Sequence, residues 1–156
     1  MDYGYEPRMR IGLRPGAPED REYLWRLHCA TMREYVDKTW GWNEAWQRRR
    51  FDENFDPLPL RIIEKEGEPI GYISVQRPGH EIFLAVIEIA PEHQNQGIAS
   101  QLIQELLDES DRSYLPLKLS VLKVNPARRL YERLGFKCTG ETPTHYLMRR
   151  DPAQAD

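Results

Sequence analysis

Residues 88–100 read Glu88-Ile89-Ala90-Pro91-Glu92-His93-Gln94-Asn95-Gln96-Gly97-Ile98-Ala99-Ser100, and this stretch decides how the rest of the chain is read. It begins inside an apolar run, 82–90, rich in β-branched residues and carrying one charge, Glu88. Such a run predicts a buried strand. A polar loop with a single glycine follows, and then Ile98, Leu102, Leu106 and Leu107 fall on one face of a helix. The first amides of a helix have no partner within it. With the positive end of the helix dipole behind them, they favour an anion such as a phosphate. Gly97 allows a ligand to approach closely, or a backbone angle that other residues avoid. A plain strand-to-helix turn has the same pattern, so the residues by themselves leave both readings open.

Upstream, 9–14 predicts a short strand closed by Pro15-Gly16. Pro18, Glu19 and Asp20 suit a first helical turn. Leu24, Leu27, His28, Thr31 and Tyr35 continue at helical spacing to about residue 37. A second helix is expected over 43–55, ended by Asp56-Pro57. Residues 60–64 and 70–76 predict a hairpin turning at Gly67-Glu68-Pro69. Downstream, 117–122 predicts a strand and 126–134 a helix stopped by Gly135, with strands at 136–139 and 145–149. The order β α α β β β α β α β β gives an α/β fold: a mixed sheet of about seven strands flanked by four helices.

The chain has 156 residues, 40% of them hydrophobic, which suits one domain over 9–150 with 1–8 and 151–156 as flexible tails. A formal charge of −3 argues against a protein whose main work is neutralising nucleic-acid phosphates. No apolar run approaches the ~20 residues that span a bilayer, and the tyrosine-rich, charged start lacks the apolar core of a secretory signal. Two cysteines, Cys29 and Cys138, do not suggest a disulfide framework. A cytoplasmic location is therefore expected. His28, His80, His93 and His145 lack the close paired spacings of zinc motifs, so no metal is expected. Neither G-x-x-x-x-G-K-[ST] nor G-x-G-x-x-G occurs, which removes the usual nucleotide-binding loops.

Gln94-Asn95-Gln96-Gly97-Ile98-Ala99 fits the pattern Q/R-x-x-G-x-G/A. Some thirty residues on come Asn125 and the block Leu130-Tyr131-Glu132-Arg133-Leu134-Gly135-Phe136. Together these resemble the GNAT superfamily of N-acetyltransferases over roughly residues 9–150. The resemblance implies a sheet splayed between its fourth and fifth strands, with acetyl-CoA in the gap. It implies that backbone amides of Gln96, Gly97, Ile98, Ala99 and Ser100 hold the pyrophosphate, in the loop begun by Gln94 and Asn95. The strand edge at Ile89 and Ala90 would pair with the pantetheine arm, and Asn125 and Tyr131 would face the thioester. Asn125 stands six positions before Tyr131, where many relatives have seven.

Making an amide from a thioester needs a neutral amine, yet a lysine-type amine has a reference pKa of about 10.4. Glu88, placed by alternation on one face with Ile82, Leu84 and Val86, is the expected proton acceptor, with Glu34 as a replacement. Tyr131, as the resemblance implies, would protonate the leaving sulfur. Trp40, Trp42, Trp46, Tyr35 and Phe51 read either as a wall for the amine or as core between two helices. Arg48-Arg49-Arg50 reads as a solvated helix face or as a site for an acidic group. Cys29 and Cys138 read as packing residues, since Cys29 and its neighbour His28 point apart on a helix. The expected activity is acetyl transfer to a primary amine by direct attack in a ternary complex, by a monomer or homodimer without nucleic-acid or membrane partners. The alternative is an acyl-CoA-binding sensor with no competent base.

Overall fold

Apolar strands alternate with amphipathic helices along the chain, and the strands assemble into one sheet with helices on both faces. A computed structural model describes residues 10–153. Its elements are β1 (Ile11–Pro15), α1 (Arg21–Trp40), α2 (Glu44–Asn54), β2 (Leu60–Lys65), β3 (Glu68–Gln76), β4 (Ile82–Ile89), α3 (Ile98–Ser113), β5 (Leu117–Leu122), α4 (Arg128–Arg133), β6 (Lys137–Glu141) and β7 (His145–Arg150). Short 3₁₀ turns at Pro18–Asp20 and Pro91–His93 lead into α1 and out of β4. The seven strands lie in the order β1-β2-β3-β4-β5-β7-β6, antiparallel except for the parallel β4–β5 pair. The expected mixed sheet and four flanking helices are therefore present.

Ile98, Leu102, Ile103, Leu106 and Leu107 of α3, with Leu130, Tyr131 and Leu134 near α4, pack on one face of the sheet. Leu24 and Leu27 of α1, with Phe51 and Phe55 at α2, cover the other face against Ile62, Tyr72 and Val86. Two departures from regular pairing then make room for a site. The first is the splay: β4 and β5 pair at Ile82↔Leu117, Phe83↔Lys118 and Leu84↔Leu119 and then separate, although β4 runs on to Ile89 and β5 to Leu122.

The second is a β-bulge that corrects the expected face of Glu88. Along β3 the partners jump from Ser74↔Val86 to Val75↔Leu84, so Ala85 has no partner. One extra residue reverses the inside–outside alternation beyond it. Ile82 and Leu84 face α3, as do Ile87 and Ile89 past the bulge. Val86 turns to the α1 side instead. Glu88 turns with it and reaches His28 on α1. It shares a face with Val86 and not with Ile82 or Leu84.

Smaller differences have local causes. α1 runs three residues past the expected end and stops at Gly41, whose φ of 84° closes the helix. The hairpin turns at Glu66 and Gly67, both at positive φ (52° and 83°), while Glu68 and Pro69 belong to β3. α4 begins two residues late because Asn125 Oδ1 accepts the Ala127 amide at 2.9 Å and holds a turn ahead of it. At the C-terminal side the Ala153 amide donates to Asp111 Oδ1 at 2.8 Å. Residues 1–9 and 154–156, including Met9 of the expected first strand, the whole of the expected tail 1–8 and half of the tail 151–156, lie outside the described residues.

Candidate active site

β4 leaves the sheet through a short, tightly held connection. The Ala90 amide donates to Ile70 O (2.7 Å) and the His93 amide to Ala90 O (2.8 Å). Gln94 Nε2 donates back to Ile89 O at 2.9 Å, so the Gln94 side chain braces the loop. Asn95 and Gly97 both adopt left-handed backbone, at φ 62° and 79°. Gly97 is the N-cap of α3, and no side chain caps that helix. Among the described residues no protein group accepts from the amides of Gln96, Gly97, Ile98, Ala99 or Ser100. Nothing lies within 4 Å of the position a Cβ on Gly97 would take, so the space in front of these amides is open.

The amides front a cleft of about 630 Å³ opened by the splay of β4 from β5. Glu88, Ile89, Gln94, Asn95, Gly97, Ile98, Ala99, Ser100, Asn125 and Tyr131 all line it, joined by Thr31, Met32 and Tyr35 of α1. Arg129 and Arg133 add two guanidinium groups to the lining, and Lys65 Nζ donates to Gln96 Oε1 at 3.1 Å beside the loop. These cations suit an anionic ligand. None was legible as part of a site, because α4, which carries both arginines, and β2, which carries Lys65, meet the loop only in the fold. Two expected residues stand apart from the lining. Ala90 packs with Leu24 and Leu27 on the α1 side, and the Gln96 side chain is engaged by Lys65.

Tyr131 is buried against Phe136, ring centroids 5.9 Å apart, and burial pushes its hydroxyl up to about 12. That group stays protonated at neutral pH and can donate a hydrogen bond. Asn125 lines the same cleft with its Oδ1 engaged by the Ala127 amide, so the six-residue spacing still brings both residues together.

Glu88 is 6% exposed. Its Oε1 lies 3.2 Å from His28 Nδ1, and its Oε2 is buried without a partner among the described residues. Across the ladder it faces Tyr72, whose hydroxyl is pushed well above its ordinary value by burial and then by the Glu88 carboxylate. The β3 backbone comes so close here that a Cβ on Gly71 would stand 2.2 Å from Glu88 O, which only glycine permits. Glu34, the replacement base, instead pairs with Lys38 at 2.9 Å on an exposed turn of α1 and does not line the cleft.

On the α1 side, Trp25, Trp42 and Phe51 surround His28 at centroid distances of 6.2–6.3 Å. A second cleft of about 510 Å³ opens there, lined by His28, Phe51, Phe55, Tyr72, Ser74 and Val86 among others. The expected tryptophan cluster is thus only half right. Trp40 and Trp46 are 60% and 50% exposed, while Trp25, unremarked in the sequence, completes the packed group. Arg48 is held by Glu22 and Asp52, and Arg50 lies over Trp46, so this run serves the α2 surface and not the loop at Gly97. Cys29 and Cys138 line neither cleft, and burial pushes the Cys29 thiol up.

A family model described as the acetyltransferase (GNAT) family matches residues 22–136. The chain belongs to the GNAT acetyltransferase family. Solved structures agree with this fold. The PaiA N-acetyltransferase from Thermoplasma acidophilum, in complex with coenzyme A, superposes with a TM-score of 0.74 at 17% identity, covering 92% of this chain and 99% of that one. The ribosomal-protein-S18-alanine N-acetyltransferase from Escherichia coli gives 0.65 at 20% identity, covering 94% and 96%. Ard1 from Thermoplasma volcanium gives 0.64 at 19%, covering 92% and 99%. This GNAT member thus shares the fold of proteins only distantly related to it in sequence.

Proposed function

We propose that the protein transfers an acetyl group from acetyl-CoA to a primary amine by direct attack in a ternary complex. The observation that carries this reading is a row of unpartnered amides, Gln96 to Ser100, at the mouth of a cleft that also holds a buried carboxylate and a buried phenol. A diphosphate fits such a row, since helix-start amides and two nearby guanidinium groups complement its charge. The unpaired edge of β4 at Ile89, running into Ala90, supplies backbone groups for the pantetheine arm. Acetyl-CoA bound there supplies an activated acyl group on a sulfur that leaves readily.

In this reading Glu88 Oε2 accepts the proton that the amine sheds as it attacks. A well-placed base contributes on the order of 10²–10⁴-fold. Holding amine and thioester together supplies much of the remaining rate. Tyr131 donates a hydrogen bond to the departing sulfur, beside Asn125. With its hydroxyl near about 12 and a thiol near about 8.5, outright proton transfer from tyrosine is uphill by roughly 5 kcal/mol. Tyr131 therefore stabilises the leaving group without ending as tyrosinate. We further infer that residues 9–150 act as one catalytic domain, as a monomer or homodimer in the cytoplasm, where two free cysteines stay reduced.

A panel of amines assayed with acetyl-CoA, with the released thiol measured, tests this function. At least one primary amine is expected to release thiol at a saturable rate. Coenzyme A binding without turnover of any amine would favour the sensor reading instead.

A further inference from the structure

We propose that His28 is the positioning residue for Glu88: its ring holds Oε1 and leaves Oε2 turned toward the incoming amine. The proposal rests on Glu88 being the base. A carboxylate shut away from water needs partners. His28 Nδ1, sixty positions earlier in the chain, stands 3.2 Å from Glu88 Oε1 on the α1 side, while Tyr72 faces the carboxylate from β3. With Nδ1 carrying the proton, the ring donates to Oε1. Oε2 stays open.

The ring is itself fixed. Trp25, Trp42 and Phe51 stand around it at 6.2–6.3 Å, and Thr31 Oγ1, one turn on, donates to Leu27 O at 3.0 Å to steady that part of α1. His28 also lines the second cleft, whereas Glu88 lines the first, so the pair forms the partition between them. A histidine that merely filled space between helices would need neither the carboxylate nor this placement. The bulge at Ala85 is what brings the two together, by turning Glu88 to the α1 side. Groups that orient a catalytic ligand without touching substrate typically matter by about 10–100-fold.

The test uses the full chain, acetyl-CoA and the best amine from the panel. His28→Ala is expected to lower kcat by about 10–100-fold while coenzyme A affinity and the KM for acetyl-CoA hold. His28→Asn places an amide nitrogen near the position of Nδ1 and should restore most of the loss. His28→Gln fills the ring space but puts its nitrogen near Nε2, and should not. In a Glu88→Gln background, His28→Ala should add little further loss, because the two act as a unit. An unchanged kcat in His28→Ala, equal rescue by Gln and Asn, or a full additional loss in the double variant would each overturn the role of His28. Wild-type kcat in Glu88→Gln alone would overturn the base assignment beneath it, which separates the two failures. Should His28→Ala not fold, the contrast between Asn and Gln decides.

Discussion

The two ends of β4 differ in pairing, in the face each residue presents and in what they bury. At Phe83 and Leu84 the strand is paired on both sides, to β3 and to β5, and the side chains of Ile82 and Leu84 vanish beneath α3. At Glu88–Ile89 it has lost β5, the alternation has been reversed by the bulge at Ala85, and a carboxylate sits where an apolar residue would pack. One strand thus serves as scaffold at its start and, in the proposed function, as chemistry at its end. An unpaired strand edge and a buried charge are both unfavourable in a plain fold. Here they meet at one point, beside amides that also lack partners. Departures from regular structure that coincide in this way are expected at functional or strained sites.

Four substitutions probe that contrast. The largest effect is expected from Gly97→Trp. Its left-handed backbone costs on the order of 1 kcal/mol for a side chain, and the indole would fill the open space before the amides. Coenzyme A affinity should fall by about 100-fold or more, some 3 kcal/mol, in a protein that still melts cooperatively; retained affinity by calorimetry would break the assignment of the loop. Next comes Glu88→Gln, with a loss of about 10²–10³-fold in kcat. The loss should shrink as pH rises, because more of the amine is then already neutral. A pH-independent loss would remove Glu88 as proton acceptor.

Tyr131→Phe is expected to lower kcat by roughly 10-fold, one lost hydrogen bond of about 1.4 kcal/mol to a charged sulfur, with coenzyme A affinity unchanged. With the hydroxyl held up to about 12, the wild-type pH–rate curve should show no falling limb from this residue until pH approaches that value. A fall centred near an ordinary tyrosine would contradict its burial in the working enzyme. The smallest effect on turnover belongs to Ile82→Ala, at the scaffold end. This fully buried side chain should cost about 2–5 kcal/mol of stability by chemical denaturation. Its kcat per folded molecule should match wild type, and a selective loss of kcat would blur the division of β4.

The sequence made the scaffold end legible and the chemical end only partly so. Apolar periodicity places all the strands and helices, because burying a stripe of Leu and Ile leaves little choice of face. The Gln94–Ala99 pattern marks the loop because glycine at a helix start is a local requirement, visible in local residues. The face of Glu88 is not local. It depends on an unpaired Ala85, and alanine carries no signature of a bulge. Gly71 is silent for the same reason: its need arises from Glu88 O across the ladder. The His28–Glu88 contact joins residues sixty positions apart, and the last residue of α1, Trp40, lies past the expected end of the helix and is exposed.

Amide chemical shifts during a coenzyme A titration, read residue by residue, test the division of β4 most directly. The amides of Gln96, Gly97, Ile98, Ala99 and Ser100 should move together and saturate with the affinity measured by calorimetry, while those of Ile82, Phe83 and Leu84 stay in place. Saturating coenzyme A that leaves the five loop amides unmoved and shifts signals elsewhere would contradict it.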